Sequence, residues 1–363
     1  MTMALAENFR MNAGHGDTSY ANNSRLQMAV LRKTRPFLEA SIKDMFKNSD
    51  SNSALLTCLK VADLGCSSGP TASLVISEIV KIFYGICQQQ HCKLPEIQAF
   101  LNDLPANDFN AIFRSVPAFC DGLKREMGAD CYISGVPGSF YDGLFPSNTL
   151  QFIHSSYSLH WLSKVPENLE NNRRNIYMGK TSPPNVFRAY AEQFKKDFSK
   201  FLGLRSQEMM PWGRMLLTFQ GRSIADASKD IYYAWEIVKD ALLDLVAEGL
   251  VKEADVDSFN LPHYVAYEGE VREIIEEEGS FAIDKLESFE IILVAPEDDE
   301  KQTRSVNTHT KSTRAVLESL LANHFGDAIM DSLFRRFAEN MAVYLQHGQK
   351  PKAVSVVISL IKK

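Results

Sequence analysis

Two carboxylates stand where a ligand-binding site would need them. Asp63-Leu-Gly-Cys-Ser-Ser-Gly-Pro70 closes the short apolar run Leu59-Lys-Val-Ala-Asp-Leu64, and Asn102-Asp103-Leu104 ends the alternating run Glu96-Ile-Gln-Ala-Phe-Leu-Asn102. Each acid therefore falls at the end of a strand candidate, next to a turn. The first turn is not G-x-x-x-x-G-K-[ST], which argues against a phosphate cradle. It is not G-x-G-x-x-G either, which argues against a dinucleotide. Gly65 lets a ligand approach the backbone closely. A carboxylate beside exposed amides suits the ammonium and carboxylate of an amino acid, and S-adenosyl-L-methionine (SAM) carries that pair. An acid at the end of the second strand accepts both hydroxyls of a ribose. Together the two acids read as a SAM site, whereas either one alone reads equally well as a helix N-cap.

The elements that must hold these residues follow from periodicity. Residues 24–48 have a partial apolar stripe at helical spacing through Leu26, Val30, Leu31 and Leu38, and Thr71 to Tyr84 has another through Leu74, Val75, Ile79 and Ile82. Further strands are expected at Cys131–Val136, Thr149–His154, Met215–Phe219 and Ala353–Ile361, with a helix from Asp108 to Phe119. Strands alternating with helices imply an α/β fold with a mainly parallel sheet covered on both faces. Residues 228–277 and 311–346 break that alternation and read as an α-helical cap. The charged stretch Pro296–His309 reads as a mobile loop. The expected division is a core over 1–170, connecting helices over 171–204, a core strand over 205–224 and cap over 225–278. Core again over 279–296, loop and cap helices over 297–349, and a last core strand over 350–363 complete it.

Composition narrows the function classes. Of 363 residues, 39 are Lys or Arg and 45 Asp or Glu, so the net charge is −6, and 45% are apolar. These are ordinary globular proportions. They argue against a disordered chain, a collagen-like repeat and a basic nucleic-acid binder. No run of 18 apolar residues occurs, so no membrane-crossing helix and no membrane partner are expected, and the first ten residues carry no secretory pattern. Cys58, Cys66, Cys87, Cys92, Cys120 and Cys131 show no zinc spacing and read as reduced thiols of a cytoplasmic protein.

Several longer motifs carry a family likeness across essentially the whole chain. Met11-Asn-Ala-Gly-His-Gly-Asp-Thr-Ser-Tyr-Ala-Asn-Asn-Ser24, Leu101-Asn-Asp-Leu-Pro-Ala-Asn-Asp-Phe-Asn110, Val136-Pro-Gly-Ser-Phe-Tyr141, His154-Ser-Ser-Tyr-Ser-Leu-His-Trp-Leu-Ser163 and Asp257-Ser-Phe-Asn-Leu-Pro262 stand in order with the Asp63 turn, Gly279-Ser-Phe281 and Val357-Ile-Ser-Leu360. The sequence resembles the plant SABATH methyltransferases. These methylate salicylic, benzoic, jasmonic and indole-3-acetic acids, and their relatives include the caffeine-pathway N-methyltransferases. The resemblance implies a Rossmann-like SAM-binding core with a helical cap and a homodimer. It implies SAM contacts from Ser19, Tyr20, Asp63, Cys66, Asp103, Leu104, Ser139 and Phe140. Thr71 stands where the family commonly has Asn, with a hydroxyl that can still hydrogen-bond, and Ala13 stands where Gly is common. Some members hold magnesium at positions matching Asn172, Asp257, the Phe259 carbonyl and Asn260. Arg173-Arg174 replaces the more usual Lys-Gly there, which argues against the ion.

The chemistry implied needs no catalytic acid or base. A carboxylate is ionised at pH 7, so it only has to be positioned against the methyl of SAM and kept from water. By the resemblance, Gln27 and Trp161 hold the carboxylate oxygens through amide and indole N–H groups, with His160 within reach. Tyr157, Trp235 and Tyr264 supply aromatic walls. Gln220, Ala234, Thr313 and Ala353 replace larger side chains of the salicylate-type members, with Val316 beside them, which implies a wider and more polar pocket than one for a bare benzene ring. The reaction expected is conversion of a small plant acid to its methyl ester, the acid being salicylate-, benzoate- or jasmonate-like or else a bulkier polar or amine-bearing keto acid. Methylation of a xanthine-type nitrogen is the alternative, and a SAM-binding protein without turnover is the third reading.

Overall fold

The computed structural model describes residues 9–14, 16–48, 57–292 and 299–363. One sheet forms the frame. Its strands are β1 (Cys58–Leu64), β2 (Glu96–Asp103), β3 (Cys131–Pro137), β4 (Leu150–Ser156), β5 (Met209–Arg222), β6 (Ala266–Tyr267), β7 (Phe281–Ile292) and β8 (Lys352–Lys362). They lie in the order β3-β2-β1-β4-β5-β8-β7, with β6 beside β5. The first five in that order pair in parallel, and β8 runs antiparallel between β5 and β7. The chain order reverses at β1, with β2 on one side and β4 on the other. In open parallel sheets that reversal opens a crevice at the carboxyl ends of the strands.

Helices cover both faces because the strands present apolar side chains with period two. On β1, Leu59 and Val61 join one buried cluster with α2 (Arg25–Asn48), α3 (Pro70–Gln90) and α4 (Phe109–Met127). Ala62 and Leu64 join the other, with α5 (Pro184–Glu208) and the cap. The cap consists of α6 (Tyr233–Ala247), α7 (Glu253–Ser258), α8 (Glu268–Glu278), α9 (Asp299–Phe325) and α10 (Met330–Gln346). A short helix α1 (Tyr20–Asn23) precedes α2.

Three findings differ from the sequence expectations. The stretch from Asp299 to His309, expected as loop, is the first part of α9, while 296–298 lie outside the described residues. The segment 281–292 is a long strand, β7, which pairs antiparallel with β8. Thr71–Gln90 is long and apolar enough to cross a membrane by composition, with mean hydropathy 1.2, yet 56% of it is buried against the sheet and α2, as in a core helix. All six cysteines are free thiols.

Candidate active site

The glycine turn is built by the end of β2. The backbone N–H groups of Gly65 and Cys66 both donate to the Asn102 carbonyl at 2.9 Å. The Asn102 side chain donates to the carbonyls of Val136 and Gly138, so this residue, through its backbone carbonyl and its side-chain amide, ties the ends of β1, β2 and β3 together. Gly65 has φ +76°, and a Cβ there would lie 2.0 Å from Ser158 Oγ. Only glycine lets the turn fold against Ser158.

Asp63 and Asp103 flank this turn. Asp63 is buried, and its Oδ1 lies 2.7 Å from His154 Nδ1. Asp103 accepts from Ser67 N–H at 2.6 Å and Leu104 N–H at 2.8 Å. Burial pushes the Asp103 carboxyl up to about 6, assisted by the Asp63 charge and opposed by those two N–H donors. A cavity opens over the strand ends, lined by Tyr20, Gly65, Asp103, Leu104, Ser139, Phe140, Tyr157 and Trp161 among others. A smaller one shares Tyr20, Gly65, Ser67 and Ser156 with it and adds Gln27, Asp63, Cys66 and Thr71. Ser19 sits behind this wall, buried, its hydroxyl donating to the Gly16 carbonyl.

A second chamber, of about 360 Å³, lies under the cap and is lined by Gln27, Tyr232, Tyr233, Ala234, Trp235, Thr313 and Val316 among others. Gln27 lines this chamber and also the smaller cavity beside the Asp63 turn, so it stands between those two. Trp161 lines the strand-end side, with its ring 6.4 Å from Trp235 and 4.6 Å from Phe9. Among the described residues, no group pairs with the Gln27 amide or the Trp161 indole N–H. The stretch 160–162 is zipped to 262–264: Tyr264 N–H donates to the His160 carbonyl, Leu162 N–H to the Pro262 carbonyl, and Trp161 bridges His263.

Behind Trp235 runs a buried hydrogen-bonded relay. The Trp235 indole donates to His263 Nδ1 at 3.2 Å, which leaves the proton on Nε2 to donate to Gln220 Oε1 at 3.2 Å. Gln220 N–H donates to His160 Nδ1, so His160 carries its proton on Nε2. Burial pushes His160 down to about 3 and His263 well below the usual imidazole range, so both rings are neutral.

Not every expected residue lines the chamber. Gln220 finds its partner in His263 within the protein, so its amide does not call for a substrate heteroatom. The Tyr264 hydroxyl is bonded to Arg222 and Glu270. Ala353 is buried in β8 opposite Ile291. Tyr157, in the left-handed region with φ +60°, turns its ring toward the strand-end cavity and its hydroxyl to Ser355.

Of the four residues matched to magnesium, Asn172, Asp257 and Asn260 each have a side-chain oxygen already engaged. Asn260 Oδ1 accepts from Asn172 Nδ2, Asn172 Oδ1 from the Ser182 hydroxyl, and Asp257 Oδ1 from Arg174 N–H. No cluster of three or more His, Cys, Asp or Glu among the described residues could hold a metal. A hard cation needs free carboxylate and carbonyl oxygens. These residues do not fit magnesium, and nothing in the chemistry is routed through it.

Comparison with known proteins decides the family. Residues 6–363 match the family model of SAM-dependent carboxyl methyltransferases. The chain belongs to that family. A Theobroma cacao protein described as a probable methyltransferase is 50% identical over 371 residues, spanning 97% of this chain and 98% of the relative. A Petunia hybrida benzoic acid/salicylic acid carboxyl methyltransferase is 43% identical, spanning 99% of each. The structure of a loganic acid methyltransferase with S-adenosylhomocysteine (SAH) superposes with TM-score 0.84 at 29% identity, over 97% of this chain and 98% of the other.

The strand-end cavity of this carboxyl methyltransferase fits SAM. Gly65 leaves room where a Cβ would fill the cradle, and the buried hydroxyls of Ser67 and Ser156 have no partner among the described residues. Asp63 and Asp103 supply the acceptors that an ammonium and a ribose need. Sequence motifs contained Ser67, Asn102, His154 and Ser156, but only the fold reveals what they touch. His263, Tyr232 and Phe9 carried no sequence signal that points to the site.

Proposed function

We propose that this methyltransferase esterifies the carboxylate of a small acid that is bulkier and more oxygenated than benzoate. The observation that carries the reading is the cap chamber. At about 360 Å³, with Ala234 and Thr313 in its walls, it has room beyond a single aromatic ring. Gln27 lines both the chamber and the smaller cavity beside the Asp63 turn, so a carboxylate accepting its amide N–H faces the donor side. The Trp161 indole offers a second N–H from the donor side.

The residues position rather than activate. SAM, when bound, supplies a methyl group made electrophilic by its sulfonium. The acceptor is already an anion at pH 7. Neutral His160 and His263 place no competing cation beside it, and their tautomers are fixed by Gln220 and Trp235. Phe9 over Trp161 and the cap over Trp235 limit water near the reacting oxygen, which raises the nucleophilicity of the carboxylate.

The test is transfer of labelled methyl from SAM to a panel of aromatic acids, cyclic aliphatic acids, amine-bearing acids and xanthines. Label in a base-labile methyl ester is the expected product. Label confined to ring nitrogen of a xanthine would overturn the reading.

A further inference from the structure

Two polar side chains on α9 have no role in the arrangement described so far. Ser305 and His309, four residues apart and so on one helix face, both line the cap chamber. Ser305 is 2% exposed and His309 8% exposed, and neither Ser305 Oγ nor His309 Nε2 has a partner among the described residues. The other ring nitrogen of His309, Nδ1, lies 3.1 Å from the Tyr233 hydroxyl. Buried polar atoms are paired in the great majority of cases. Two orphans on successive turns of one chamber wall mark where a ligand atom completes the pairing.

Their place along α9 sets their distance from the reacting end. Ser312 donates to the Asn23 carbonyl at 3.0 Å, and Asn12 N–H donates to the Ala315 carbonyl at 2.9 Å, so this part of α9 lies against the segment leading into α2 and Gln27. At about 1.5 Å rise per residue, His309 is roughly 4.5 Å and Ser305 roughly 10.5 Å further along the axis. The pair therefore occupies the end of the chamber away from Gln27.

We propose that Ser305 and His309 form a distal polar subsite that binds a hydroxyl or carbonyl oxygen of the substrate, at the end of the chamber away from the carboxylate being methylated. The inference deepens the carboxylate reading and rests on it. Burial pushes His309 down to about 4, so the pair is uncharged and suits a neutral oxygen rather than a second anion. Arg304, at the exposed mouth, already has a partner of its own. The substrate class is thus an oxygenated acid with its second oxygen remote from the carboxyl group.

The test compares a cyclic acid bearing a remote hydroxyl or ketone with its deoxy counterpart. Turnover is followed with labelled SAM, and binding is followed by calorimetry on the protein saturated with SAH. The wild type should favour the oxygenated acid about tenfold in both kcat/KM and affinity, as one good hydrogen bond allows. In Ser305→Ala and His309→Leu that ratio should fall toward one. Ser305→Ala should also melt no lower than wild type without acid, because the hydroxyl it removes is unpartnered. Equal treatment of the two acids by the wild type, an unchanged ratio in both variants, or a melting temperature several degrees lower in Ser305→Ala would each overturn the subsite. Tenfold tighter binding of the oxygenated acid without methylation of either would support the subsite and overturn the carboxylate reading instead.

Discussion

Arg205 should be the strongest structural determinant of the SAM wall that lies outside it. It is fully buried on α5, and its guanidinium donates to the Phe140 carbonyl, the Asp142 carbonyl and Glu208 Oε1, each at 2.8 Å. Glu208 Oε1 in turn accepts the backbone N–H groups of Leu144 and Phe145. One ion pair therefore pins both sides of the loop that presents Ser139 and Phe140 to the strand-end cavity. Arg205→Met keeps the length and removes all three donors, leaving Glu208 buried without its cation. Breaking a buried pair from one side costs about 3–5 kcal/mol. With an unfolding entropy of about 2.1 cal/mol/K per residue over a chain this long, the midpoint should drop by about 4–7 °C. The assay is thermal melting with and without SAH, together with calorimetric SAH binding. The variant should melt lower, bind SAH more weakly, and recover less of its stability when SAH is added. A shift under about 1 °C with unchanged SAH affinity would refute the argument that this pair holds the loop.

Further outcomes follow from the same geometry. Asp103 has its carboxyl raised to about 6, so the native state holds that proton more tightly than the unfolded chain. Ionising it costs native stability as pH rises from about 4 to 6, and a ligand that hydrogen-bonds to the anion recovers that cost. SAH affinity should therefore weaken as pH falls below about 6 and level off above 7, and Asp103→Asn should flatten the profile; a pH-independent wild type would contradict this. Gly65→Ala places a Cβ 2.0 Å from Ser158 Oγ at φ +76°. It should lose SAH binding, and Ser158→Gly in the same chain should restore only part, because the backbone strain of about 1–2 kcal/mol remains; full recovery in the double variant would show that the positive φ is unimportant.

The core was legible because its signals are local. The Leu59–Leu64 run followed by Gly65 announces a strand, a turn and a helix, and the alternation of 96–102 announces the next strand with Asp103 at its end. The segment 281–292 escaped because Asp284, Lys285, Glu287 and Glu290 interrupt it. Those charges belong to an edge strand, where they discourage pairing with other chains. The start of α9 read as loop for a similar reason: its charged residues dominate the composition, while Ser305 and His309 face inward. Gln220 was expected to meet a substrate because a buried amide needs a partner. That partner is His263, 43 residues away in sequence, and only the packing of 160–162 on 262–264 brings them together. Asp63 and Asp103 could be named from the chain, but His154 against Asp63 is a contact across 91 residues that no local pattern encodes.

The account stands on a carboxylate held by the Gln27 amide and the Trp161 indole beside the methyl donor. Trp161→Phe keeps an aromatic ring to pack on Phe9 but removes the N–H together with the fused five-membered ring. The deciding measurement is kcat/KM for the best acid alongside SAH affinity in that variant. A hydrogen bond to a charged group supports a loss of about 10- to 150-fold in kcat/KM, with SAH binding within about twofold of wild type. Unchanged turnover of the acid in Trp161→Phe would contradict the account.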